Sequence, residues 1–295
     1  MCNCFIISFY LPTQESLLVL EEIILRLREG FNNPTMIIGF NPSKFVDDGI
    51  RIIEKYKDTN ILYDTVDEPL VCDSDASGFQ CALNILKKQN DRFDLYWFLH
   101  SKAVTTNRDI EREYMMNDFI SNKDKIESLF NQNDFIGSYG DMMIHLGTLK
   151  PNHKFTSPTI SGNYLEKFYD FNIKMPLEYF YAKTFYVIKG KILNNFIDGC
   201  KLSFFTNPLN IDLNITDKTD RYFFERDFIR IVDKMGYIPL CRVVSNGISD
   251  TRWGDISTIQ SNTDYLEEVK IWLEVNNINL NENNVLKVLK EWQRL

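Results

Sequence analysis

Asp73-Ser74-Asp75-Ala76-Ser77-Gly78-Phe79-Gln80-Cys81-Ala82-Leu83-Asn84, and further on Leu95-Tyr96-Trp97-Phe98-Leu99-His100-Ser101-Lys102, decide how this chain is read. The first segment puts acidic and small residues in front of apolar helical spacing, which predicts a helix over 77–88 opened by Ser77 and Gly78. The second is a short, wholly apolar run that ends abruptly in a polar triplet, which predicts a buried strand over 95–99. Working outward, the same alternation repeats. Strands are expected over 5–11, 36–40 and 61–66, and helices over 14–28 and 46–55. Strands alternating with helices imply a parallel sheet with right-handed crossovers. Ligands of such sheets sit beyond the carboxyl ends of the strands, so the informative residues should follow Leu11, Phe40, Val66 and Leu99.

Beyond residue 108 the pattern loosens. A helix is expected over 109–130 and a short strand over 135–139, closed by Gly140. A loop-rich stretch over 141–176 carries Pro151, Pro158, Gly162 and Pro176. One strand over 179–188 leads into a helix over 191–197, and a polar loop spans 207–220. A helix over 221–235 should stop at Gly236, a favourable C-cap residue. From Thr263 two amphipathic helices follow, lined by Leu266, Val269 and Leu273 and then by Val285, Val288, Leu289, Trp292 and Leu295. The expected organisation is one α/β domain over 1–255 and a C-terminal helical hairpin over 256–295.

Composition narrows the classes of function. A formal charge of -8 over 295 residues argues against a general nucleic-acid binder, whose affinity comes from Lys and Arg neutralising phosphates. Cys2, Cys4, Cys72, Cys81, Cys200 and Cys241 are scattered, as expected of reduced core thiols, and three histidines leave little for a His-rich metal centre. The first apolar run lacks the basic flank and cleavage site of a signal peptide, and no run approaches a membrane span. A cytoplasmic protein is expected.

Two candidate constellations emerge. Ser77 and Gly78 stand where free backbone N–H groups and the positive end of a helix dipole favour an anion or a polar sugar edge. Asp73 and Asp75, just ahead of them, suit the metal of a nucleotide diphosphate or the hydroxyls of a sugar, and equally suit a capping cluster. His100, Ser101 and Lys102 leave the end of the central strand. There Lys102 can offset diphosphate charge, and His100 can donate a hydrogen bond to a phosphate or leaving group. Tyr10, at the end of the first strand, offers a ring for a nucleobase or for packing. Asp141, His145, His153, Trp253 and Asp255 fall in loops and carry less weight.

In element order, the chain resembles the GT-A glycosyltransferases. Gly78, Ala82 and Asn84, ahead of the strand ending at Phe98-Leu99, resemble the segment that precedes that fold's Asp-x-Asp motif. Here His100-Ser101-Lys102 stands in the motif's place. A strand ending in Leu-His-Ser-Lys is similar to the rhamnan synthesis F-type family, implicated in assembling rhamnose-rich polysaccharides. A second matching stretch is Tyr222-Phe223-Phe224-Glu225-Arg226-Asp227-Phe228. The resemblance implies Glu225 or Asp227 as the base that takes the acceptor's proton, although the same residues, with Arg230, also suit an exposed face of ion pairs.

The expected fold is therefore α/β, a Rossmann-like GT-A fold with a mostly parallel central sheet and a C-terminal helical appendage. The expected reaction is hexose transfer from a nucleotide-sugar donor to a glycan or glycoconjugate acceptor, with inversion, since a retaining mechanism leaves no clear role for a base at the later helix. Manganese or magnesium dependence and metal independence are both open, as is the oligomeric state. A sugar nucleotidyltransferase is the first rival, disfavoured because Leu11-Pro12-Thr13-Gln14-Glu15-Ser16 carries no glycine. The second is a non-catalytic nucleotide-sugar or glycan-binding module, supported by the missing Asp-x-Asp.

Overall fold

The computed structural model describes residues 1–56, 60–66, 75–101, 109–145, 169, 177, 179–181, 184–206, 224, 228–245 and 263–292. Its first half alternates β1 (Asn3–Phe9), α1 (Gln14–Phe31), β2 (Thr35–Phe40), α2 (Val46–Glu54), β3 (Ile61–Thr65), α3 (Asp75–Gln89) and β4 (Leu95–His100). The second half runs α4 (Asp109–Gln132), β5 (Ile136–His145), β6 (Tyr179–Tyr181), β7 (Tyr186–Lys189), α5 (Gly190–Gly199), α6 (Ser203–Thr206), α7 (Arg230–Lys234), β8 (Ile238–Ser245), α8 (Thr263–Val275) and α9 (Glu282–Trp292).

The strands form one sheet in the order β3-β2-β1-β4-β7-β5-β6, with β8 also paired to β5. β7 and β6 meet successive stretches of β5, at Ser138–Gly140 and Met143–His145, while β8 pairs along Ile136–Ile144. β7 and β6 therefore follow one another along one edge of β5, and β8 takes the other edge. Pairs β1/β2, β1/β4, β2/β3 and β5/β8 are parallel; β7 is antiparallel to both β4 and β5. The chain is thus an α/β protein on a Rossmann-like, mostly parallel sheet.

Every residue of β1 and β4 is buried, as required of central parallel strands covered on both faces. Trp97 faces one layer, against Phe31 of α1 and Phe119 of α4, with ring centroids 4.8 and 5.2 Å away. Its indole N–H donates to Asn3 Oδ1 at 2.9 Å, so the large ring is buried without orphaning its one polar atom. Phe98 faces the other layer, against Phe79 of α3, Tyr186 of β7 and Phe228. α1 begins where Thr13 and Ser16 form a reciprocal capping box and ends at Asn32, which is left-handed at φ 53°. The C-terminal helices close on the same core. The Tyr265 hydroxyl donates to the Pro239 carbonyl, its ring meets Tyr179 edge-on at 4.7 Å, and Val269, Trp272, Val285 and Leu289 are fully buried.

Several expectations need correction. β5 does not stop at Gly140; it runs to His145, so Asp141 and His145 lie in a strand rather than a loop. Gly140 is small because the Tyr181 ring packs over it, and a Cβ there would stand 2.7 Å from Cε1. The single strand expected over 179–188 is two strands, parted near Thr184 at φ 54°. β8 was not anticipated at all. Within the helix expected over 221–235, Phe224 and α7 are helical among the described residues, α7 is closed by Gly236 at φ +78°, and Arg230 is buried rather than part of a solvated ionic face.

Candidate ligand edge at the ends of β1 and β4

β1 connects through α1 to β2 on one side, while β3 connects through α3 to β4 on the other. The two crossovers part at the carboxyl ends of β1 and β4. This topological switch point is where an open α/β sheet leaves a crevice. Five of the expected residues lie at this edge: Tyr10 after β1, His100 and Ser101 at the end of β4, and Ser77 and Gly78 in the first turn of α3. Tyr10 is half-buried, whereas His100, Ser101 and Ser77 are 7%, 5% and 3% exposed.

The edge is held together by hydrogen bonds that converge from three strands and a helix. Ser101 N–H donates to the Ser8 carbonyl at 3.0 Å, and Tyr10 N–H donates to Ser101 Oγ at 2.9 Å. Ser101 thus ties the outgoing chains of β1 and β4 together. Asn41, just past β2, is buried at 6% exposure. Its Nδ2 donates to Ser8 Oγ at 3.0 Å and to the Phe9 carbonyl at 3.3 Å, and its Oδ1 accepts from Gly78 N–H at 3.0 Å. Ser43 Oγ donates to the Asn41 carbonyl and accepts from Leu11 N–H, both at 3.0 Å.

Gly78 therefore serves the fold at this edge. Its amide is engaged by Asn41, and a Cβ on it would stand 2.7 Å from the Gly39 carbonyl and 2.9 Å from Asn41 Nδ2. A Cβ on Gly39 would likewise stand 2.7 Å from the Gly78 carbonyl carbon and 3.0 Å from Ala82 N. The two glycines let α3 lie directly on the backbone of β2. The His100 ring packs edge-on against Phe185, centroids 5.9 Å apart. Ser8, Gly39, Asn41 and Ser43 were not anticipated from sequence. The available signal was a polar pair, Asn41 and Ser43, at the end of a buried strand, the same position that drew attention to His100.

Asp73, Lys102, His153, Glu225, Asp227, Trp253 and Asp255 lie outside the described residues, as do the side chains of Asp75, Asp141 and His145. Among the described residues no group of three or more His, Cys, Asp or Glu side chains converges to hold a cation. Among them, too, no helix is long and apolar enough to cross a membrane. Of the cysteines, Cys4, Cys200 and Cys241 are buried, Cys81 is half-buried and Cys2 is exposed. Burial raises the Cys200 thiol to about 12, which leaves it protonated and inert.

A second polar cluster lies away from this edge, on α7. Asp233 is 3% exposed, accepting from Leu177 N–H at 2.6 Å and from Lys234 N–H at 2.9 Å. Burial raises its carboxyl to about 7, against the opposing pull of those hydrogen bonds and of the Arg230 and Lys234 charges. It borders a small, partly open space of about 10 Å³ lined by Met143, Leu177, Tyr179, Tyr181 and Arg230, with room for about one water molecule.

No protein-family model matches the chain, and no curated protein matches its sequence. Among solved structures it is similar to TarS of S. aureus, with TM-score 0.38 and 11% identity over 99% of this chain. The chain spans 43% of the length of that structure. It is also similar to the shorter S. aureus TarS 1–349, with TM-score 0.36 and 12% identity over 99% of this chain and 70% of the other.

Proposed function

We propose that this chain is a glycosyltransferase, moving a hexose from a nucleoside diphosphate sugar to a hydroxyl of a saccharide or glycoconjugate. The observation that carries the reading is the topological switch point between β1 and β4, where Tyr10 and Ser101 are hydrogen-bonded across the two strand ends, His100 ends β4, and Asn41 holds the first turn of α3. In this reading the donor lies along that edge, with its diphosphate toward the start of α3 and toward Lys102, which follows Ser101 directly. Glu225 or Asp227 takes the acceptor hydroxyl proton. The acceptor oxygen then bonds to the anomeric carbon as the bond to the diphosphate oxygen breaks, and the nucleoside diphosphate leaves with that electron pair. Attack opposite the leaving group inverts the anomeric centre. The rhamnan synthesis F-type resemblance points to assembly of a rhamnose-rich polysaccharide.

A thermal-shift screen of UDP-, GDP- and dTDP-sugars, with and without manganese, tests the binding half, because a ligand that binds only the folded state raises Tm. At least one sugar nucleotide should shift Tm and be turned over, and Lys102→Ala should abolish turnover. Unchanged turnover in that variant removes the donor-site assignment. Binding with no turnover on any acceptor favours the non-catalytic module instead, a reading supported by a β4 that ends in His100-Ser101 rather than paired carboxylates.

A further inference from the structure

We infer that Asn41 is a positioning residue, whose single side-chain amide locks the first turn of α3 onto the ends of β1 and β2 and so assembles the ligand edge before anything binds. The inference rests on reading that edge as the donor site. Both halves of the amide are used inward. Oδ1 takes the Gly78 N–H, while Nδ2 reaches Ser8 Oγ and the Phe9 carbonyl. The orientation of the amide follows from Gly78, whose backbone N–H needs an acceptor; the Phe9 carbonyl, which already accepts the Asn41 backbone N–H at 2.8 Å, takes the amide N–H as a second donor.

The close approach of α3 to β2 leaves little room for a substitute partner at Gly78. Gly39 and Gly78 approach so closely that a methyl group does not fit between α3 and β2, so a water molecule of similar size does not fit there either. Loss of the Asn41 side chain takes the acceptor from the buried Gly78 N–H, while the Phe9 carbonyl keeps the Asn41 backbone N–H; the unmet N–H is unfavourable enough to drive local rearrangement. The disturbance then reaches the ligand-facing chain. Ser8, which Asn41 holds by its side chain, carries Ser101 on its carbonyl, and Ser101 in turn carries Tyr10. An aspartate keeps the acceptor half of the device and loses the donor half; a leucine of similar size loses both.

Hydrogen exchange on the intact chain and titration with the sugar nucleotide that most raises wild-type Tm test this together. Asn41→Leu should speed amide exchange about tenfold or more in Ser77–Phe79 and Tyr10–Leu11 relative to the rest of the chain. It should also weaken binding of the sugar nucleotide by about tenfold. Val285→Ala, a buried truncation in the C-terminal hairpin, serves as the stability control and should leave both quantities at wild-type values apart from a uniform rise in exchange. Exchange in Asn41→Leu that rises only uniformly, as in the control, overturns the inference, as does unchanged affinity. Should Asn41→Leu fail to fold, Asn41→Asp and Ser8→Ala carry the test with the same readouts, and wild-type values in both overturn it. If wild-type protein binds no sugar nucleotide, the donor-site reading falls, while the exchange measurements still decide whether Asn41 holds the edge.

Discussion

Asp233 is the clearest case of a single residue whose chemistry the fold has altered. Its carboxyl is almost fully buried, and desolvation outweighs two backbone hydrogen bonds and two nearby cations, placing its pKa about 7 rather than 3.8. The folded state therefore holds this proton more tightly than the unfolded chain does. Its contribution to stability is fully present below pH 4 and is lost as pH rises through 7. Against a non-titrating Asp233→Asn variant, wild-type stability should decline between pH 4 and 7 by on the order of a few kcal/mol. Urea denaturation of both proteins across that range checks this, and parallel pH profiles would refute it. Other carboxylates cancel in the comparison, including Glu15, whose pKa is lowered chiefly by a backbone hydrogen bond at the start of α1.

Among the elements, β5 does the most to unite the sheet, because it carries β7 and β6 on one edge and β8 on the other. Tyr181 of β6 reinforces this junction across its width. Its hydroxyl lies 2.9 Å from Ser138 Oγ on β5 and donates to the Leu240 carbonyl on β8 at 2.8 Å. Burial pushes the phenol well above its usual range, so it remains a donor at any working pH. Tyr181→Phe keeps the ring over Gly140 and deletes only the hydroxyl. It should lower stability by about 1–3 kcal/mol, because the Ser138 hydroxyl and Leu240 carbonyl are left buried with a partner missing. Equilibrium denaturation measures the loss; a change under about 0.5 kcal/mol would mean the hydroxyl is dispensable at this junction.

For the molecule as a whole, the question is whether the C-terminal hairpin unfolds with the sheet. Val269, Trp272, Leu273, Val285, Val288 and Leu289 belong to the same buried cluster as β1 and β4, and Tyr265 reaches the backbone of β8. A shared core predicts one cooperative transition. Tryptophan fluorescence, which senses Trp97 in the sheet and Trp272 in the hairpin, should give the same urea midpoint as far-UV circular dichroism. A distinct early step in fluorescence would show that α8 and α9 leave separately. The proposed preorganisation of the candidate edge also belongs to this scale, because the amide of Asn41 joins segments far apart in the chain.

Local pattern was enough to read β1 to β4 and the helices between them. Each is either a wholly apolar run or an amphipathic repeat, and the alternation alone implies a parallel sheet and the edge where a ligand sits. That His100, Ser101 and Tyr10 stand at the ends of strands and Ser77 in the first turn of a helix was legible for the same reason. What followed residue 135 was not legible. Glycine at 140 resembles a stop signal, but its smallness answers a ring that arrives from Tyr181, and β8 is a strand because β5 offers it an edge. The polar residues that bind the edge together were equally hidden. Ser8 and Asn41 look like ordinary strand-end residues until tertiary packing brings β1, β2 and the start of α3 within hydrogen-bonding distance. Periodicity records which face of a segment is buried, because that depends on neighbours in sequence. The identity of the partner depends on neighbours in space, and here only the folded chain decided it.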